Sequence, residues 1–163
     1  MPLDRLLGRV LAHDVMARAD LPAADSSVMD GWAVRAADLP GVVRVVGESR
    51  AGAPFSGTVG PGEAVRISTG ALLPDGADTV LRVEDGAEEG GVMRTMTGPE
   101  RGRDVRFRAE DLRRGDTLLR AGTTLNGVRV GAVAAAGHAT AMCRVPPAVA
   151  EARAVQPGER LPA

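Results

Sequence analysis

The sequence predicts a mainly β protein of the α+β class, with a β-rich middle and helical segments towards both ends. Three observations carry this. Between Val42 and Leu119, short apolar runs are separated by the glycine-rich turns Gly60-Pro61-Gly62, Asp75-Gly76, Glu88-Glu89-Gly90-Gly91 and Arg114-Gly115-Asp116. Closely spaced strands of this kind build a small β-barrel or sandwich. Near each end, apolar residues instead recur at helical spacing. Hydrophobic residues make up 44% of the 163 positions, enough for a compact core of one elongated or two small domains. Trp32, Phe55 and Phe107 are the only aromatic residues, so that core is built from Val, Leu, Ala and Met.

Taking the elements in order, Leu3, Leu6, Leu7, Val10 and Leu11 read as one face of an amphipathic helix, with Asp4 in its first turn where the helix dipole favours an acid. The run from Asp25 to Arg35, Asp-Ser-Ser-Val-Met-Asp-Gly-Trp-Ala-Val-Arg, gathers carboxylates and hydroxyls around a tight turn. Asp and Ser bond nearby amides there, and Asp30-Gly31 favours positive φ. Such a turn either binds a ligand or only reverses the chain. Val65 and Ile67 then alternate with Arg66 and Ser68 as in a half-buried strand that delivers Thr69-Gly70 to a loop ending at Pro74-Asp75-Gly76. A hydroxyl beside a glycine at a strand end suits an oxyanion; on pattern alone an ordinary hairpin is the favoured reading.

Asn126 is placed to cap a second helix through Val128, Val130, Ala132, Val133 and Ala136, with Gly137 as its stop. A last strand over 139–145 follows, and residues 146–163, rich in Pro, Ala and charge, read as a linker or tail. The chain thus leaves one domain, builds a β module and returns to the first.

Several function classes fall away on composition. All twenty basic residues are arginine, which excludes a P-loop or Schiff-base lysine within this chain. The cluster Arg101, Arg103, Arg106, Arg108, Arg113 and Arg114 is interspersed with Asp104, Glu110, Asp111 and Asp116. It reads as a solvated strand face rather than a nucleic-acid patch, and stacking platforms for bases are missing. Cys143 alone forms no internal disulfide; in its alternating run with Ala141 and Val145 it reads as a buried structural thiol rather than a nucleophile. His13 and His138 lack ligand-spaced partners, against a zinc site. No apolar run reaches the length of a membrane span or signal core, so no membrane association and a cytoplasmic location are expected.

The motifs resemble the MoeA-type molybdopterin molybdotransferases, the family that includes the gephyrin E domain. Leu7-Gly8-Arg9-Val10-Leu11-Ala12-His13-Asp14-Val15 is similar to the family's first helix, and Asp20-Leu21-Pro22 leads into the counterpart of its Asp-Asn-Ser-Ala-Met-Asp-Gly-Tyr motif. Gly60-Pro61-Gly62-Glu63-Ala64, Arg66 to Asp78, Asp104-Val105-Arg106, Ala109-Glu110-Asp111-Leu112 and Ala121-Gly122-Thr123-Thr124-Leu125 follow in the family's order, over residues 3–149. Ordered agreement among many short motifs is far more specific than any one of them. The chain departs from the pattern at Ser26, where the family has Asn, at Trp32 for Tyr, and at Ala109, where a Gly precedes Glu-Asp. After Ala150 the family's Thr-Gly-Asp-Glu-Leu motif, which opens its molybdopterin-binding domain, does not appear.

The resemblance implies a small β-barrel-like domain over residues 25–111, inserted in an elongated α/β dimerisation domain formed by 1–24 and 112–145. It implies catalytic positions at Asp30, Thr69 and Asp111 and substrate-binding positions at Ser27 and Gly70, on the barrel side of a site completed by another subunit. Asp30 and Asp111 would hold Mg2+ through oxygen ligands, and Thr69 would donate to an oxyanion. The implied reaction inserts molybdate into adenylylated molybdopterin with release of AMP. Without the molybdopterin-binding domain, the isolated chain is expected to be inactive, and its partner is a second copy or a full-length paralogue. The alternative is a non-catalytic dimerising scaffold that pairs with such a paralogue.

Overall fold

The computed structural model describes residues 1–144, and the expected tail over 146–163 lies outside the described residues. The chain divides into two compact units, Met1–Leu21 with Asp111–Ala163, and Pro22–Glu110.

The first unit opens differently from the amphipathic helix expected at Leu3–Leu11. A single 3-10 turn, Leu3–Arg5, is followed by strands β1 (Val10–Leu11) and β2 (Val15–Met16). Leu6 and Leu11 enter the core, while Leu7 is 68% exposed. The reason lies in pairing: Leu125 donates its N–H to Arg9 O at 2.8 Å and Leu11 donates to Thr123 O at 2.9 Å. An isolated helix of this length is marginal, and the strand contacts displace it.

The second unit contains β3 (Ser26–Ser27), β4 (Gly31–Val34), β5 (Gly41–Ser49), β6 (Glu63–Ile67), β7 (Thr79–Arg82), β8 (Ala87–Glu89), β9 (Val92–Thr95) and β10 (Val105–Arg106). Six of these form one sheet in the order β7-β4-β6-β5-β9-β8, and β3 pairs with β10 beside it. Neighbours in the sheet run antiparallel except β5 and β6, which are parallel and shift register between Val45 and Gly47. The sheet is a curled half-barrel with β7 and β8 as edges, so the closed barrel or sandwich expected from strand spacing is realised only in part. Glycine chemistry explains the β8–β9 hairpin: Gly90 and Gly91 sit at φ +58° and +79°, as a two-residue turn with both central residues left-handed requires.

Alternation in the strands buries both faces. Trp32, Val34, Ala64, Leu81 and Met93 pack on one side with Leu39 and Val43; Ala33, Ile67 and Val80 pack on the other with Ala71 and Val105. The aliphatic core expected from composition is what forms, around one Trp.

The chain returns to the first unit through β11 (Thr117–Leu119), α1 (Gly127–Ala135) and β12 (Cys143–Arg144). β11 pairs with β2 and β12 with β1, both antiparallel. α1 begins where Asn126 accepts from the Arg129 N–H at 2.9 Å, the expected cap. Of the strand expected over 139–145, residue 145 lies outside the described residues; among the described ones Cys143 and Arg144 pair with β1, while Pro2 and Thr140 make a single bridge. Cys143 packs half-buried against the core of Leu6, Leu11, Val15, Leu125, Val133 and Ala141. Burial pushes its thiol above the ordinary range, which disfavours the thiolate and fits the structural reading. Among the described residues no helix is long and apolar enough to cross a membrane.

Candidate functional site

The site grows from the turn between β3 and β4. Ser27 pairs with Val105 across β3 and β10, and its side chain closes the turn locally: Oγ donates to Met29 O at 2.5 Å and accepts from the Met29 N–H at 3.2 Å. Ser27 is only 2% exposed. Its carbonyl accepts from the Gly70 N–H at 2.8 Å, and its own N–H donates to Ala71 O at 3.0 Å. Asp25 anchors the approach, its carbonyl accepting from the Leu73 N–H at 3.0 Å and its Oδ1 from the Arg108 N–H at 2.7 Å.

The turn ends at Asp30, whose side chain is exposed. Its Oδ1 accepts two hydrogen bonds from Thr69, from the backbone N–H at 2.7 Å and from the hydroxyl at 3.1 Å. Oδ2 accepts none among the described residues. The two residues meet because Gly31 opens β4 opposite Ile67 near the end of β6, so Asp30 and Thr69 extend from adjacent strand ends. Paired donors on one carboxylate oxygen fix its direction.

Gly31 departs from the expectation of positive φ. It lies in extended strand, paired with Ile67 on one side and Arg82 on the other. A Cβ there would sit 1.9 Å from the Leu81 carbonyl oxygen. Close approach of β7, rather than a left-handed turn, is why the position holds glycine.

The residues expected to form the site divide by geometry. Asp30, Thr69, Ser27 and Gly70 come together in the Pro22–Glu110 unit, whereas Asp111 belongs to the other, its N–H bonded to Leu21 O at 2.9 Å. Among the side chains of the four that meet, only Asp30 leaves a polar atom, Oδ2, without an internal partner among the described residues. Ser27 Oγ and the Gly70 amide bond within the turn, and the Thr69 hydroxyl and amide are both committed to Asp30. Both Thr69 donors thus face the Asp30 carboxylate.

Among the described residues, no group of three or more His, Cys, Asp and Glu side chains is placed to hold a metal. Magnesium is commonly held by one or two carboxylates with waters and substrate phosphates supplying the rest. Asp30 fits that shared role and not a resident cage. Beside the turn lies a pair that spacing along the chain did not reveal: Arg82 donates to both carboxylate oxygens of Asp104, from Nε at 2.8 Å and Nη2 at 2.9 Å. The guanidinium holds the Asp104 carboxyl below the usual carboxylate range against the opposing effect of burial. The partners stand far apart in sequence, and only the fold brings them together.

Ala109, where the family pattern has glycine, sits at φ +59°. It carries a Cβ in the left-handed region that glycine enters freely. Arg101 and Arg103, from the basic cluster, pair with Asp78 and Asp85, both at 3.3 Å, in line with a solvated charged face.

A family model described as "MoeA N-terminal region (domain I and II)" matches residues 1–137. A molybdopterin molybdenumtransferase of Nostoc is 39% identical over 135 residues, covering 78% of this chain and 31% of the relative. One from Haemophilus influenzae is 35% identical over 144 residues, covering 86% and 36%. A crystal structure of a molybdopterin biosynthesis MoeA protein from Pyrococcus horikoshii aligns with a TM-score of 0.81 at 31% identity, covering 86% of this chain and 39% of that one. The chain belongs to the MoeA N-terminal region family, and it spans less than two fifths of the length of these relatives.

Proposed function

We propose that this chain is the N-terminal part of a molybdotransferase of molybdenum cofactor biosynthesis. In this reading it contributes the Asp30 half of an intersubunit site at which molybdate enters adenylylated molybdopterin and AMP leaves. The observation that carries the reading is the exposed Asp30 carboxylate, fixed through Oδ1 by both donors of Thr69. Membership of the family supports the reaction class.

Asp30 suits a particular task. A carboxylate repels molybdate and phosphate, so it does not bind these anions directly; its outward oxygen instead accepts from a substrate hydroxyl or from the water shell of a cation. Mg2+, when bound with the substrate, supplies charge neutralisation at the phosphate. Thr69 keeps the carboxylate directed at that position, and Ser27 and Gly70 fix the loop that carries it. The resemblance gives Asp111 a catalytic role as well; it lies in the other unit, where its N–H bonds to Leu21 O. The partner is a second copy or a full-length paralogue carrying the molybdopterin-binding domain, and the location is cytoplasmic.

The test supplies the molybdopterin-binding portion of a relative to this chain and measures molybdate insertion into adenylylated molybdopterin. Insertion with the native sequence and its loss in Asp30→Ala are expected. Unchanged insertion in Asp30→Ala would sink the role given to this residue. A chain that pairs with a full-length relative and yet supports no insertion would instead favour the dimerising scaffold.

A further inference from the structure

The Asp30 turn receives little support from itself. Apart from the Ser27 hydroxyl, its hydrogen bonds arrive from other elements. The Val28 N–H donates to Asp104 O at 3.0 Å, and the Val83 N–H donates to Asp30 O at 3.1 Å. Both of these lead back to one ion pair. Asp104 bears the carbonyl that receives Val28, and Arg82, the last residue of β7, precedes Val83 and stands opposite Gly31 in the ladder.

We propose that Arg82 and Asp104 are positioning residues for Asp30, holding the turn in the conformation that points its carboxylate at substrate. The proposal rests on the functional reading above. Its geometric basis is the backbone of Asp104, which sits at φ +57°. A non-glycine residue occupies that region at a steric cost, although Asp tolerates it better than most. Here the side chain is almost wholly buried and grips Arg82 through two hydrogen bonds, with Arg103 Nε a further 3.5 Å from Oδ2. If that grip is lost, the residue relaxes towards negative φ. Its peptide then rotates, and the carbonyl turns away from the Val28 N–H.

Fork-to-fork geometry makes the contact directional, which a lysine ammonium would not reproduce. The other charged groups facing the pair are Asp85, bonded to Arg103, and Glu84, next to it in sequence; both are acidic and favour the arginine side of the network. The clamp thus fixes the start of the turn through Asp104 O and its end through the β7 backbone, while Thr69 fixes the side chain itself.

Nuclear magnetic resonance of the full chain without substrate tests this. The Thr69 amide bonds to Asp30 Oδ1 at 2.7 Å, so its hydrogen exchange reports whether that carboxylate is held in place. In Arg82→Met, the Thr69 amide is expected to lose most of its protection from exchange, while amides of the distant β5–β9 ladder keep theirs. Asp104→Asn retains left-handed tolerance and an acceptor for Arg82, so it should preserve more of the protection; Arg82→Lys, keeping charge without the fork, should resemble Arg82→Met. Native protection of Thr69 in a folded Arg82→Met or Arg82→Lys chain would overturn the proposal, and the lysine variant serves if the methionine variant does not fold. Because no insertion reaction enters this measurement, failure of the clamp and failure of the Asp30→Ala test are separate results.

Discussion

Replacing Gly31 with Ala tests why the strand beside the site holds a glycine. The added methyl would lie 1.9 Å from Leu81 O, 2.9 Å from the Leu81 carbonyl carbon and 3.0 Å from Arg82 Cα. Each of these atoms is backbone, so no rotamer change relieves the clash. The gap to Leu81 O must open from 1.9 Å to at least 3.0 Å, a displacement that separates β4 from β7 at the residue next to Asp30. Overpacking of this kind costs about 1–3 kcal/mol, and each ladder hydrogen bond lost adds about 0.5–1.5 kcal/mol. A destabilisation of about 2–4 kcal/mol is therefore expected, read as a lower midpoint in urea unfolding followed by circular dichroism. Gly31→Asn discriminates between the two explanations. A left-handed turn would accept Asn better than Ala, whereas the steric contact penalises Asn at least as much. Stability within about 0.5 kcal/mol of the native chain in Gly31→Ala, or a clear advantage of Asn over Ala, would refute the close-approach argument.

Two further outcomes follow from the same geometry. Ala109→Gly should stabilise the chain by up to about 1 kcal/mol in the same urea experiment: relief of a left-handed Cβ outweighs the added freedom of the unfolded chain, and a loss of stability would contradict the assigned φ. The Asp104 carboxyl is depressed in the folded state by Arg82, so its stabilising contribution is complete above the unfolded carboxylate pKa and disappears as pH falls through the lower folded one. As pH falls below about 4, the native chain should therefore lose more stability than Arg82→Met does; parallel losses in the two would show that the pair is not coupled to folding.

Elements whose signal is local were legible in the sequence. Val65 and Ile67 are buried and Arg66 is exposed, as their alternation in β6 requires. Asn126 caps α1 because its side chain reaches an amide three residues on, and Gly90-Gly91 turns β8 into β9 by backbone freedom alone. The N-terminal segment misled for a complementary reason. Its leucines carry a helical period, but the partners that decide its conformation, Thr123, Leu125 and Arg144, lie more than a hundred positions away. A periodic pattern states which side chains seek burial; it does not state whether a distant strand satisfies the backbone first.

The same distinction governs the site. Its turn was recognisable from Asp, Ser and Gly within a few residues, and Thr69 from its place after β6. Which polar groups face outward was not recognisable, because composition treats a hydroxyl that bonds its own loop and one that awaits a ligand alike. In the fold, Ser27 is buried against Met29, Gly70 is tied to Ser27, and Thr69 is turned onto Asp30. Of the four candidate groups, Asp30 is thus the one whose side chain leaves an oxygen without an internal partner among the described residues. Substitution of any of the other three should consequently act through the placement of Asp30 rather than through contacts of its own. Thr69→Ser, which preserves both donors, ought to be far milder than Thr69→Val, which keeps the shape and the amide but removes the hydroxyl.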